Sequence, residues 1–422
     1  VTLHAARRIR VVPPCAICVL LVFSIGVVLV PSGSPAIEEL GAEENISDLL
    51  PDTFPTGAEL RDFSKRRWAI LPEVGFGPDT GVLAGAKFTH RDLFGSGATF
   101  DAEGTYAINR QQAVALSLGS PHLWNDRLIL LLRAKYYLDP QQDFFGLGNN
   151  DIGPDPASTQ KFQELGGALT IGWRAFRRVA FNFQVGIRHI QIGRGDRMGD
   201  TPFTVDAFPD LPGIHGGVVN PIALSLVWNT RDDVLRPTRG WRFILKVIHT
   251  DKSLFSDFEY TRYLGDASYL YAFNRRRQIV GLRVNGEYID APKDQIPFWE
   301  LTELGGPDTL RGFFPHRFVG KSRVLLNLEI RSRLAEFDFF SWWHVLLDGV
   351  LFGDSGRVFI DNSELRDEFK LGDIVGNIIS DFQYSYGGGL RVALSDALVA
   401  RIDAGFSDEY TGLVYLSFGQ TF

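Results

Sequence analysis

Cysteine is nearly absent from this 422-residue chain: Cys15 and Cys18 are the only two. From Ile37 onward there is no thiolate to ligate a metal, no disulfide framework and no cysteine nucleophile. Methionine occurs once. Surplus positive charge is missing as well. The formal net charge is −7, which disfavours nucleic acid as a partner, because that binding needs clustered cations to neutralise phosphates. Beyond residue 36 no apolar run approaches the ~20 residues of a membrane helix; the longest is "LILLL" at 128–132. What the chain does have is aromatic side chains (13%) and 44 glycines. Such a composition leaves a soluble β protein or a transmembrane β-barrel, whose strands hide their apolarity in alternation.

Residues 1–36 read as a secretory signal peptide. Arg7, Arg8 and Arg10 form a basic start, residues 16–30 an apolar stretch, and "PSGSPA" offers small residues for cleavage after Ala36. Cys15 precedes the apolar stretch, which argues against a lipoprotein site. Setting this segment aside removes three arginines and no acid, so the net charge falls from −7 to −10. Residues 37–67 are acidic and then basic, too short for a domain, and are expected to form a periplasmic lead-in with a short helix near Glu59–Lys65, or to stay disordered.

Period-two alternation runs through the rest. In 322–334, Val324, Leu326, Leu328, Ile330 and Leu334 point one way; Arg323, Asn327, Glu329, Arg331 and Arg333 point the other. Leu282, Val284 and Tyr288 oppose Arg283, Asn285 and Glu287, and Val414, Leu416, Phe418 and Phe422 oppose Tyr415, Ser417 and Thr421. Alternation means strands with one apolar and one polar face. A soluble sandwich would alternate too, so the connections decide. About sixteen strands are expected, from Trp68 to Phe422. Links after even strands are short (94–97, 176–178, 274–277), and several after odd strands are long (139–161, 190–217, 290–321, 358–382). Short turns on one rim and long loops on the other predict an all-β, transmembrane antiparallel barrel over residues 68–422. An even strand count puts both termini on the periplasmic, short-turn side, with Arg177 on that rim and Asp151, Asp206 and Asn362 on the opposite one.

Catalytic and metal signals are weak. "GDSG" at 353–356 matches part of a serine-protease nucleophile motif but runs on as "RVF", and no histidine stands in a base motif. His90, His189, His249 and His344 are scattered at no ligand spacing, and the acid- and glycine-rich 143–156 lacks calcium-loop periodicity. The chain is therefore expected not to be an enzyme and to need no cofactor or metal.

One loop, "LGGPDTLRGFFP" at 304–315, is punctuated by glycine and proline yet carries Arg311, Phe313 and Phe314. A loop exposed to water does not need them; a loop folded into a confined, partly dry place does. The polar strand faces offer acids for such an arginine: Glu329 just after the loop, and Asp348 and Asp354 sharing a face in 344–354. Spacing alone also admits a solvated Arg311.

"GGPDTLRGF", followed by a strand and then "FGDSGRVF" at 352–359, resembles the BamA/TamA superfamily of outer-membrane assembly barrels, also called bacterial surface antigens. The stretch 72–88 resembles the family's opening hairpin, "FFGLGNND" its recurring "GIGN" stretch, and 229–241 its mid-barrel turn. The final "SFGQTF" resembles the aromatic-ended signal that outer-membrane chains present to their insertion machinery, here Phe418, Gly419 and Phe422. Leu310 stands where the family usually has valine or isoleucine. The thirty-odd residues before the barrel are short of a peptide-transport-associated domain of ~75 residues, so this resembles a barrel-only member. The resemblance implies a long extracellular loop folded into the lumen, with Leu310, Arg311, Gly312 and Phe313 as its motif and Glu329 and Asp354 as the arginine's partners. It further implies an outer-membrane location with outer-membrane lipid, client proteins and the insertion machinery as partners. The implied function is insertion, assembly or translocation of outer-membrane or surface components; a passive pore or structural barrel is the alternative.

Overall fold

In a computed structural model, residues 68–418 are described apart from 125–126, 150–154, 197–198, 234–235, 292–294, 340–342, 364–381 and 395–397. The expected signal peptide, the 37–67 segment, the rim position Asp151, Gly419 and Phe422 lie outside the described residues. The strands are β1 (Trp68–Gly77), β2 (Gly81–Leu93), β3 (Ala98–Ala107), β4 (Gln112–Leu123), β5 (Leu128–Phe144), β6 (Ser158–Phe176) and β7 (Val179–Gly193). β8 (Gly216–Val219) and β9 (Ile222–Asn229) both pair with β7 and are two halves of one crossing, interrupted at Asn220–Pro221. Then come β10 (Gly240–Thr250), β11 (Tyr260–Phe273) and β12 (Gln278–Asp290). A small ladder of β13 (Thr302–Leu304) and β14 (Phe318–Gly320) lies outside the main sheet. β15 (Ser322–Phe339), β16 (Trp343–Phe359), β17 (Gln383–Leu394), β18 (Leu398–Phe406) and β19 (Leu413–Phe418) complete it.

Each strand of the main sheet pairs antiparallel with its neighbours in sequence, and β19 returns to β1. Counting β8 and β9 as one crossing, the closed barrel has sixteen strands, as the alternation predicts. Links after even crossings are turns, 94–97, 177–178 and 274–277 among them, with 230–239 the longer exception. On the other rim lie 145–157, 194–215, 251–259, 291–321 and 360–382, besides the short 78–80, 108–111 and 407–412. Asn362 is buried, bonded to Ser322 and to the Ile289 carbonyl, so it is not the accessible rim position that its loop suggests.

The pleat sorts the faces. On β7, Phe181, Phe183, Val185 and Ile187 face outward and are exposed, while Asn182, Gln184 and Arg188 are buried inside. On β15, Leu326, Leu328 and Ile330 face out, and Asn327, Glu329 and Arg331 face in. A ring of exposed apolar side chains around a charged interior is unstable in water and suits a bilayer. Near the long-loop rim the inward positions turn apolar. Ile190, Ile192, Ile248 and Ile289 join Phe144, Phe298 and Trp299 in the largest hydrophobic cluster, so loop residues pack onto the inner wall at that end.

Candidate functional site

The link 291–321 does not arch over the rim; it folds inward. Its neck is the β13–β14 ladder, Thr302↔Gly320 to Leu304↔Phe318. Beyond the neck Gly305 and Gly306 take φ of +128° and +81°, a region costly for residues with a Cβ. A Cβ on Gly305 would stand 2.0 Å from the Phe314 carbonyl oxygen. The chain therefore doubles back tightly, with the Gly306 N–H donating to the Phe313 carbonyl at 2.9 Å and the Gly305 N–H to Thr309 Oγ1 at 2.8 Å.

This hairpin delivers Arg311 to the inner wall, where it is fully buried. Nε donates to Asp354 Oδ2 at 2.8 Å and Nη2 to Asp354 Oδ1 at 2.7 Å, a two-point fork. Nη1 donates to Glu329 Oε1, and Asp403 Oδ2 lies 3.8 Å from the same nitrogen. The guanidinium carbon sits 3.6 Å above the Phe352 ring, a cation–π contact strengthened by the absence of water. Burial alone would lower the arginine's pKa, yet Asp354 and Glu329 beside it hold it above its ordinary value. Glu329 (β15) and Asp354 (β16), both named from the sequence, are thus brought together on one cation. Asp348 is not; it pairs with Arg333.

Sequence reasoning missed the rest of the network. Glu329 also accepts from Arg331 at 2.8 Å and Arg391 at 3.3 Å; Arg391 bonds Asp403 at 2.6 Å, and Arg401 reaches the loop's Asp308 at 2.8 Å. These residues come from β15 and from the consecutive β17 and β18, which lie well downstream of it in sequence. A buried lattice of this kind is costly to desolvate, and so it persists only with nearly every charge answered.

The other motif residues fix the hairpin's seating. Gly312, at φ +106°, lies so close to β18 that a Cβ there would be 3.0 Å from three backbone atoms of Phe406. Its carbonyl accepts from Ser407 Oγ at 2.8 Å, and Tyr415 Oη on β19 donates to the Phe313 carbonyl at 2.7 Å. Leu310 and Phe313 are fully buried with Leu304, Phe318, Leu325 and Val358. Phe314 meets the Tyr410 ring edge-on at 5.0 Å. Arg317, also missed, is buried and forks onto Glu409 at 2.6 and 2.7 Å.

Glu300 was missed too. It is fully buried at the loop's root, accepting from Tyr260 Oη at 2.7 Å and from Arg188 and Arg262. A signal existed: "FWELTE" sets an acid among large apolar residues in a loop, the same oddity that marks Arg311. Of the terminal residues, Phe418 ends β19, while Gly419 and Phe422 are outside the described residues. Among the described residues no group of three or more His, Cys, Asp or Glu is arranged to hold a metal ion.

BamA from Haemophilus ducreyi, in a crystal structure lacking POTRA domains 1-3, superposes with a TM-score of 0.59 at 16% identity, covering 84% of this chain and 70% of that one. CdiB from Escherichia coli gives 0.56 at 11% identity, over 84% of this chain and 63% of CdiB. CdiB from Acinetobacter baumannii gives 0.50 at 12% identity, over 83% and 59%; this chain thus spans less than two thirds of either CdiB. At these identities the likeness is one of fold. No curated protein sequence matches. The model of the Omp85 superfamily domain matches residues 92–422, and so this plugged, sixteen-stranded outer-membrane barrel belongs to the Omp85 superfamily.

Proposed function

We propose that the chain inserts, assembles or translocates outer-membrane or surface components by opening its barrel sideways between β1 and β19. The observation that carries this reading is the weakness of that closure. Across the described Leu413–Phe418 of β19 it is registered at Phe76↔Leu416 alone, whereas the same stretch runs in register with β18 from Gly405↔Leu413 to Ala400↔Phe418. Pro72 leaves β1 one backbone donor short. Unpaired strand edges are templates for another strand, so an opened seam offers a client strand its hydrogen bonds and a lipid its way in. Superfamily membership supports this reading, and the filled lumen favours it over a wide passive pore. Outer-membrane lipid and client barrels would be its partners, and the chain's own aromatic C-terminus would address it to the insertion machinery.

Depleting the protein in its native bacterium and taking an inventory of outer-membrane proteins and lipids tests this. Loss of particular barrels or lipids ahead of any general growth defect is the expected result; an unchanged inventory removes the assembly reading.

The same reading puts the termini and the short turns in the periplasm. Cysteines replacing the exposed Asp206 or Asp408 should react with an impermeant thiol reagent on whole cells, and one replacing Arg177 should react only after the outer membrane is permeabilised. Labelling at Arg177 alone on intact cells inverts the orientation.

A further inference from the structure

The inserted loop carries a buried acid as well as a buried arginine, and different walls of the barrel hold the two. Arg311 is bound by β15 and β16. Glu300, eleven positions earlier in the chain, is bound by Arg188 on β7 and by Tyr260 and Arg262 on β11. The niche is wired into its own wall independently of the loop: Arg188 also forks onto Glu164 at 2.7 and 3.1 Å, and Arg262 also donates to Glu287. An acid entering a site with two guanidinium groups already in place gains charge-assisted bonds on all its oxygens without leaving either cation bare.

Packing divides the loop at the same place. Around Glu300, the Phe298 ring meets Phe144 edge-on at 5.5 Å, and Trp299 meets Phe258 at 5.6 Å. Trp299 Nε1 donates to the Gly213 carbonyl at 2.9 Å, and the Phe298 N–H to the Pro212 carbonyl at 2.9 Å. Those contacts belong to one hydrophobic cluster, whereas Leu310 and Phe313 belong to another. The boundary falls between Leu301, in the first cluster, and Leu304, in the second, and the Gly305–Gly306 turn, whose backbone conformation is open to few other residues, follows directly.

We propose that Glu300 is a second anchor of opposite charge, a positioning residue that fixes the root of the loop to the β7–β11 wall independently of the Arg311 latch. The tip can then unlatch as a unit while the root stays seated, which keeps the plug attached and able to return. This rests on the plug reading above and adds to it where the moving part begins.

Single cysteines report on each half, in a background with Cys15 and Cys18 replaced by serine: Thr302→Cys for the root and Leu310→Cys for the tip, both fully buried positions. Local openings of this kind are read directly from labelling rates. Glu300→Gln keeps the shape and removes the charge. It is expected to speed labelling at 302 at least tenfold and to leave 310 within about threefold. Glu300→Asp, with its charge retained one methylene short, should fall between Gln and wild type. Arg311→Ala should do the converse, opening 310 and sparing 302. Equal acceleration at both reporters in Glu300→Gln makes the loop one cooperative unit and overturns the proposal, as does continued protection at 302. Failure of Arg311→Ala to open 310 removes the plug latch and leaves the Glu300 result to be judged by itself. If Glu300→Gln yields no folded barrel, Tyr260→Phe deletes one hydroxyl and should speed labelling at 302 about threefold; no change there also overturns the proposal.

Discussion

Replacing Arg311 with alanine is expected to free the tip of the loop while the barrel stays folded, because no strand ladder of the main sheet runs through the tip. Asp354 suffers most. Among the described residues its only ion-pair partner is Arg311, and what would remain are the neutral Asn327 amide, at 2.8 Å, and the backbone N–H of residue 311, at 3.2 Å. Glu329 would keep Arg331 and Arg391, so the loss falls on one acid and not on both. Breaking a buried charged pair costs on the order of 3–5 kcal/mol, and the Phe352 stacking goes with it. Protease should then cut near Phe313 and Phe314, and conductance in planar bilayers should rise. Arg311→Lys should behave more like alanine than like wild type, since a point charge cannot fork onto one carboxylate and reach a second. Arg311→Asp should be worse than alanine, with Asp354→Arg beside it recovering part of the loss. Protection and conductance unchanged from wild type in Arg311→Ala would mean that the latch holds nothing.

Tying the seam shut should abolish the proposed activity altogether. Phe76 and Leu416 face each other across the closure, and directly opposed residues of an antiparallel pair lie within the Cα span of a disulfide. A Phe76→Cys, Leu416→Cys pair therefore converts a separable edge into a covalent one. Each ladder bond contributes only about 0.5–1.5 kcal/mol net, so a seam with few of them opens at modest cost, and a disulfide does not. The oxidised variant should fold, reach the outer membrane and fail to replace the wild-type protein; reducing it should restore function. Tyr415, the neighbour of Leu416, donates to the Phe313 carbonyl of the plug, so the locked barrel should also hold its tip more firmly. Equal support of the outer-membrane inventory by oxidised and reduced protein would rule out lateral opening at this seam.

The sequence by itself determined the class of fold, because alternation is a property of the local pleat. Leu326 and Glu329 must face opposite sides of a strand whatever surrounds them, and the outward and inward faces of β15 follow. Loop lengths are equally local, and they separated the two rims before any pairing was known. Arg311 stood out for a similar reason: an arginine that follows Leu310 and precedes Gly312, Phe313 and Phe314 in a glycine-rich loop has little reason to face water. Glu329 and Asp354 could be named as acids of the inner face, since parity alone assigns them there. Parity does not say how deep a loop reaches or which inward residues share a level. Those depend on the register and stagger of sixteen strands and on the fold of the loop itself. Asp403, Arg391 and Arg401 join the latch only because β17 and β18 come round to meet β15 and β16. Ile190, Ile248 and Ile289 face inward, against the expected polarity, because loop residues reach down to cover them. Glu300 gains its meaning only when β7 and β11, distant in sequence from the loop and from each other, present two arginines to the same point. Faces are set by neighbouring peptide units; convergence is set by closure of the whole sheet, and only the tertiary structure carries it.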